Sequence, residues 1–254
     1  MSVRTSYLPG TPSWVDLGSP DPAATSAFYG GLFGWETMTD PSPEAGGYGI
    51  FQLDGLSVAG LGPQQNTDMP PFWTVYVTVE NVDATLAKAV DNGATVVMGA
   101  MDVLDAGRMA VISDPLGSFI SLWQAGTSIG CERIYDANCF GWTELATTDN
   151  AKTTAFYQEV FGWQLHGEAS VDAASTYTAG GQPVCGSHTA GEGEPPAWSV
   201  WFSVEDCDAV AAKAVELGAT LIMPPSDMDF GRGSVIADPT GAAFGIAKVT
   251  DGTM

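Results

Sequence analysis

The chain is poor in the side chains that most often do chemistry near neutral pH. Its 254 residues include only two histidines, His166 and His188, and four cysteines, Cys131, Cys139, Cys185 and Cys207, with no CxxC pair. That spacing supports neither structural zinc nor a disulfide framework. Two carboxylates stand out instead. Asp16 and Glu144 each follow a tryptophan by two residues, in Trp14-Val15-Asp16-Leu17 and Trp142-Thr143-Glu144-Leu145. In an extended segment residues two apart share a face, so Trp14 goes with Asp16 and Trp142 with Glu144, while Leu17 and Leu145 point the other way. A carboxylate on a largely aromatic wall is desolvated, which raises its pKa and suits it to proton transfer.

The same alternation collects further polar and aromatic groups. Thr74, Tyr76 and Thr78 oppose Val75, Val77 and Val79; Ser199, Trp201 and Ser203 oppose Val200, Phe202 and Val204. Phe119, Ser121 and Trp123 share a face of a later segment, where the second half has the small Ala243, Gly245 and Ala247. Tyr48 and Tyr177 occupy matching strands and are weaker candidates. Arg108 and Arg232, in a repeated Gly-Arg, are the structural alternative for the two carboxylates: each could pair with an acid and leave it no chemical role. No Ser-His-Asp arrangement, Walker loop or GxGxxG fingerprint is present, so hydrolase and nucleotide readings have no support.

A duplicated framework positions these residues. Trp14 to Trp35 returns as Trp142 to Trp163 without a gap, with eleven of twenty-two positions identical, and Pro70 to Gln124 returns as Pro195 to Lys248 with one deletion. Internal repeats of this kind decide domain count before anything else. Within the first copy, Trp14 to Leu17 reads as a strand. Asp21 then caps a helix with Pro22 at its first position, and Gly34 stops it. Strands follow at 35–38, 48–53 and 56–61, the last two joined by Asp54-Gly55, a hairpin turn. The order recurs as a strand at 73–79, a helix capped by Asn81 or Asp83 and ended by Gly93, and strands at 95–98, 107–113 and 118–124. The chain thus reads as four βαβββ modules, an α+β class, with domains at 10–125 and 140–250 and a linker at 126–139.

W-x-[DE]-L, then AFY and FGW in each half, followed by G-A-T, G-R and D-P-x-G, resemble the vicinal oxygen chelate superfamily of glyoxalases, bleomycin-resistance proteins and extradiol dioxygenases. The resemblance covers nearly the whole chain. It implies that each module curls its sheet, with helices on the convex face and ligands in the concave one. It also implies that metal enzymes place His, Glu or Gln on the first and last strand of each module. Those places fall here at Trp14, Thr74, Trp142 and Ser199, and at Ala59, Ser121, Cys185 and Gly245. None is His, Asp or Glu, whereas a protein-held divalent metal needs two or three such ligands. The concave faces would then be aromatic clefts with Trp14, Trp142, Thr74, Tyr76, Ser121, Trp123, Ser199, Trp201, Tyr48, Arg108 and Arg232 as the ligand-binding candidates. Trp35 and Trp163, each just after a helix-ending glycine, belong to the core.

Thirty acids against eight bases give a net charge of −22. That balance argues against nucleic acid and anionic membranes, which are held by Lys and Arg stripes. No run approaches the roughly 20 apolar residues of a membrane span, and no secretory h-region is visible, which reads as a cytoplasmic protein. The expected partner is an aromatic or polycyclic small molecule, cationic ones included, with no metal and no cofactor. Four modules in one chain can form complete clefts, which suits a monomer or a homodimer. The leading reading is a binder serving antibiotic resistance or secondary metabolism. The alternative is a metal-free enzyme, hydroxylase-like or cyclase-like, with Asp16 or Glu144 as acid–base. A metal-dependent glyoxalase-type lyase is disfavoured.

The ligand count generates a first prediction. Protein purified without chelator should carry well under one equivalent of Fe, Ni, Zn or Mn per chain by elemental analysis. A stoichiometric metal held at the eight positions would show that the strands are misplaced.

Overall fold

The computed structural model describes residues 3–166 and 174–249. The first half runs β1 (Pro12–Ser19), α1 (Pro22–Phe33), β2 (Glu36–Thr39), β3 (Gly49–Leu53), β4 (Leu56–Pro63), β5 (Trp73–Thr78), α2 (Val82–Asp91), β6 (Thr95–Val103), β7 (Gly107–Ser113) and β8 (Phe119–Ala125). The second half repeats the plan as β9 (Phe140–Thr147), α3 (Asn150–Phe161), β10 (Gln164–Leu165), β11 (Ala174–Ala179), β12 (Gln182–Thr189), β13 (Ala197–Ser203), α4 (Cys207–Glu216), β14 (Thr220–Met228), β15 (Gly231–Ala237) and β16 (Ala243–Val249). The fold is α+β, with four βαβββ modules. No helix among the described residues is long and apolar enough to cross a membrane.

Local chemistry sets the helix ends. The Asp21 carboxylate accepts from the Ala24 amide at 3.0 Å, and Asp149 accepts from Lys152 at 2.9 Å, each satisfying an orphan donor of the first turn. Gly34 and Gly162 stop α1 and α3 in the left-handed region, at φ 77° and 72°. Asn81, rather than Asp83, caps α2.

Each half makes one eight-stranded sheet, ordered β2-β3-β4-β1-β5-β8-β7-β6 and β10-β11-β12-β9-β13-β16-β15-β14. The first strands of the two modules meet antiparallel at the centre, β1 on β5 and β9 on β13. Each last strand returns parallel to its own first strand. The functional residues of all four modules therefore converge on central strands.

Helices α1 and α4 pack together, as do α2 and α3, between the two sheets. The tyrosine of each AFY segment crosses this layer. Tyr29 of α1 donates to Asp238 Oδ2 at 3.2 Å and accepts from Trp73 Nε1 at 3.2 Å. Tyr157 of α3 does the same with Asp114 Oδ2 at 3.0 Å and Trp198 Nε1 at 3.1 Å. The other oxygen of each aspartate closes its own D-P-x-G turn, through Leu116 and Ser118 or through Thr240 and Ala242. Trp35 and Trp163 stack on these tyrosines in the core, 4% and 1% exposed, as expected of them. The N-terminal arm pairs with the 126–139 segment, Arg4 donating its amide to the Glu132 carbonyl at 2.8 Å. Cys131 and Cys139 are buried there as free thiols.

Tyr157→Phe should therefore destabilise the chain by about 1–3 kcal/mol, because the Trp198 N–H and one Asp114 oxygen lose a buried partner. For a chain of this size that is a fall in Tm of roughly 2–4 °C per kcal/mol. Thermal unfolding of Tyr157→Phe and Tyr29→Phe checks it. Unchanged transitions would remove these contacts from the stabilising set.

Candidate functional site

On the first concave face Asp16 lies in register with Gly60 of β4 and Thr74 of β5. Its Oδ2 accepts from the Tyr76 hydroxyl at 2.9 Å and the Tyr48 hydroxyl at 3.1 Å. Trp14 Nε1 donates to the Tyr48 oxygen at 3.0 Å, so a chain of donors ends on one carboxylate. Tyr48 reaches it by lying flat across β4. A Cβ on Gly60 would stand 1.9 Å from the Tyr48 hydroxyl, so only glycine admits the ring there. Trp123 meets Tyr76 edge-on, with ring centroids 6.4 Å apart, and covers Gly107.

Three of the four rings leave little open surface, Trp14 at 9% exposed, Tyr76 at 8% and Trp123 at 7%, and Tyr48 is half-buried. Trp14 thus acts through its N–H edge rather than as a bare stacking platform. Burial pushes Asp16 up to about 6, against the opposing hydrogen bonds of Tyr76, Tyr48 and Thr74. Burial, then the Asp16 charge, raises both tyrosines well above the usual phenol range. Phe72 and Phe119 stack at 6.4 Å as an exposed apolar rim.

The second face has the same plan with other residues. Glu144 lies in register with Gly186 and Ser199. Trp142 Nε1 donates to Glu144 Oε2 at 3.3 Å. His188 Nδ1 lies 3.3 Å from Glu144 Oε1, and its Nε2 lies 3.5 Å from Glu194 Oε1. The Glu144 contact raises the imidazole pKa, and partial burial opposes it. Trp201 donates to Ser199 Oγ at 3.1 Å, and Ser199 donates to the Glu144 carbonyl at 3.1 Å. The Trp201 ring lies over Gly245, where a Cβ would come within 2.1 Å of it.

Several sequence expectations land elsewhere. Arg108 binds Asp83 and Asp102, and Arg232 binds Asp208 and Asp227. Each ties a β-hairpin to the first turn of α2 or α4 on the helix side, so neither reaches Asp16 or Glu144. Tyr177 is fully buried on the helix side, bonded to Thr154 and Ser187 and stacked on Trp163. Ala59 and Cys185 are buried one residue from the expected face, which Gly60 and Gly186 occupy. The cause is a register shift in each β-hairpin, at Phe51/Gln52 and at Tyr177/Thr178. One extra residue flips every side chain counted across it. The same slip hid His188, two residues beyond Gly186 and therefore on the concave face; parity counted from that glycine would have found it. Ser121, with Tyr76, and Gly245, with Trp201, lie at their expected places.

The metal that the resemblance implies does not fit these residues. The places where the resemblance puts metal ligands hold Trp14, Thr74, Gly60 and Ser121, and Trp142, Ser199, Gly186 and Gly245, none of which is an imidazole or a carboxylate; Asp16, Glu144 and His188 stand on the same concave faces but outside those places. Glu144 and Glu194 contact opposite nitrogens of His188, so the three groups do not converge on one point. Among the described residues no group of three or more His, Cys, Asp or Glu side chains could hold a metal ion.

The Asp16 environment makes a testable pH dependence. With its pKa moved from 3.8 to about 6, the folded chain keeps a proton that the unfolded chain has lost between those values. Stability then falls as pH rises through that window, by at most about 3 kcal/mol. In Asp16→Asn that fall should vanish. The stability gap should move in the variant's favour between pH 4 and pH 7, measured by urea unfolding. A gap independent of pH would show that Asp16 titrates alike in both states.

Residues 11–122 match the Glyoxalase/Bleomycin resistance protein/Dioxygenase superfamily, and residues 142–247 match a glyoxalase-like domain. CFP32 of Mycobacterium tuberculosis, named as a candidate glyoxylase, is 39% identical over 98% of each chain. The anthracycline biosynthesis protein DnrV of Streptomyces peucetius is 36% identical over 98% of this chain and 96% of its own. Among solved structures, the Mn(II)-bound glyoxalase from Novosphingobium aromaticivorans shares the fold with a TM-score of 0.67, covering 94% of this chain and 82% of that one at 16% identity. The 2,3-dioxygenase LapB from a Pseudomonas species gives 0.67, covering 95% and 93% at 13% identity. The chain belongs to the glyoxalase/bleomycin resistance protein/dioxygenase superfamily, as a member with two tandem domains.

Proposed function

We propose that the protein binds a planar aromatic or polycyclic small molecule on a concave sheet face without using a metal, in the cytoplasm and in the service of secondary metabolism or resistance. One observation carries the reading. At the centre of each concave face a carboxylate stands beside tryptophan side chains, with phenol hydroxyls around Asp16 in the first half and a serine hydroxyl and the His188 imidazole around Glu144 in the second. Aromatic walls with a few fixed polar groups suit flat organic ligands, which they hold by stacking and orient by hydrogen bonds. The likeness to a protein named for anthracycline biosynthesis supports a polycyclic ligand.

A second reading, acid–base catalysis on such a ligand, is favoured by the state of Asp16. A carboxyl group with its pKa near 6 is close enough to neutrality to give or take a proton. Tyr48 and Tyr76 hold it in one orientation, and Glu144 is the corresponding group in the second half.

Titration with 1,8-dihydroxyanthraquinone should quench tryptophan fluorescence saturably, while methylglyoxal should cause no change. If the ligand is also turned over, Asp16→Asn should abolish turnover and leave affinity within about tenfold, since the amide keeps the shape and loses the base. Failure of every planar aromatic compound to bind would end the binding reading. Full turnover in the Asp16→Asn, Glu144→Gln double variant would end the catalytic one.

A further inference from the structure

The two concave faces are built on one plan and filled to different degrees. Along the row beside the carboxylates, the first half carries Gly18 and Gly62, with the Tyr48 ring lying against Gly62. Phe72 stands at the rim of the same face. The second half carries Ala174, His188, Ala146 and Ala197 in register. On the last strands Phe119 and Trp123 of the first half face Ala243 and Ala247 of the second, and Met109 gives way to Gly233. Four large side chains of the first face, Phe72, Phe119, Trp123 and Met109, are thus Ala or Gly on the second.

What remains on the second face is a floor at Trp201, with Met228 and Phe230 at one margin against Gly233, and a polar edge at His188. Trp201 lies flat on the sheet because Gly245 and Gly233 are cleared beneath it; a Cβ on either would come within 2.1 Å or 3.3 Å of the ring. Trp201 is half-buried, with Phe230 set edge-on at 5.7 Å. His188 rises from the alanine row. Glu144 holds its Nδ1 side, and among the described residues Nε2 lies 3.5 Å from the carboxylate of Glu194, in the loop after β12.

Resting on the reading that the protein binds planar aromatic compounds, we infer that the second half's concave face is the working cleft. The ligand stacks on Trp201 and presents a ring-edge quinone or phenol oxygen to His188 Nε2–H, in place of Glu194. The first face serves as a filled structural counterpart. Stacking on a half-buried indole contributes beyond area burial. A fixed imidazole N–H gives the orientation that a flat ligand otherwise lacks. The contact with Glu144, which raises the imidazole pKa, favours the form with both N–H groups.

NMR with 1,8-dihydroxyanthraquinone tests this directly, because the chain has only two histidines. His188→Gln identifies the His188 ring signals by removing them. The probe should shift those signals in the wild-type protein and leave the His166 signals in place. His188→Gln should weaken binding about tenfold. Ala247→Trp, which installs the first face's residue, should weaken it at least tenfold, and Phe72→Ala should leave it within twofold. Should Ala247→Trp fail to fold, the wild-type shifts and His188→Gln still decide. Binding that leaves the His188 signals unmoved, or that is lost in Phe72→Ala and kept in His188→Gln, would overturn the assignment of the cleft while leaving aromatic binding intact. No binding of planar aromatic compounds by the wild-type chain would overturn both.

Discussion

The two reciprocal contacts between a helix tyrosine and a turn aspartate hold this architecture together. Each aspartate of a D-P-x-G turn uses one oxygen to close its own turn and the other to hold the tyrosine of the opposite half. A buried carboxylate is costly unless its lone pairs are satisfied. Here a turn and an interface share that requirement, so neither half can be fully satisfied alone. The contacts place all four helices between the sheets. Both concave faces consequently turn outward, and each can change without disturbing the layer that joins them.

Duplication makes that freedom usable. Both faces keep a carboxylate at the centre of the first strand, with an indole two residues before it. Around the first, Tyr48, Tyr76 and Trp123 close in, and two phenols converge on one oxygen of Asp16. Those donors offset only part of the desolvation, which leaves the carboxyl group's pKa raised. Around the second, an imidazole takes the place that Tyr48 holds in the first, and alanines stand beside it. The exchange is coupled: Tyr48 needs Gly62 beneath it, and His188, the counterpart of Gly62, lies opposite Ala174. Either ring fits the place, but not both.

Much of this was legible from residue order. The cap at Asp21, the glycine stops and the period-two alternation on β1 and β5 depend on near neighbours, and they read correctly. So did the shared face of Trp14, Asp16, Thr74 and Tyr76. Readings that crossed a hairpin failed. Counting from turns to Ala59 and Cys185 assumed a regular ladder, and the shifts in register sent the count to the wrong face. The arginines failed for another reason. Arg108 stands next to Gly107, which lies against Trp123 on the concave side, so it points toward the helices, where Asp83 lies 2.8 Å away. Strand parity carried that information, but the sequence contains more acids than eight bases can serve, and only the fold shows which acid lies within reach.

The replacement of metal ligands by indoles changes what the scaffold can select. A metal site draws in any ligand with two suitably spaced oxygens, because the ion supplies the attraction. An indole offers one N–H and two apolar faces, so selection passes to ligand shape and to the position of a few polar atoms. Shape selection needs an open floor, whereas polar selection needs a donor or acceptor that is fixed yet accessible. On the first face the fixed groups are spent on one another, with Trp14 on Tyr48 and Tyr48 on Asp16. On the second, Trp201 is half-buried, and among the described residues His188 Nε2 meets the Glu194 carboxylate at 3.5 Å. On the proposed reading, the chain divides between its halves two demands that a single cleft would have to reconcile: a carboxyl group shielded enough to shift its pKa, and a floor open enough to receive a flat molecule.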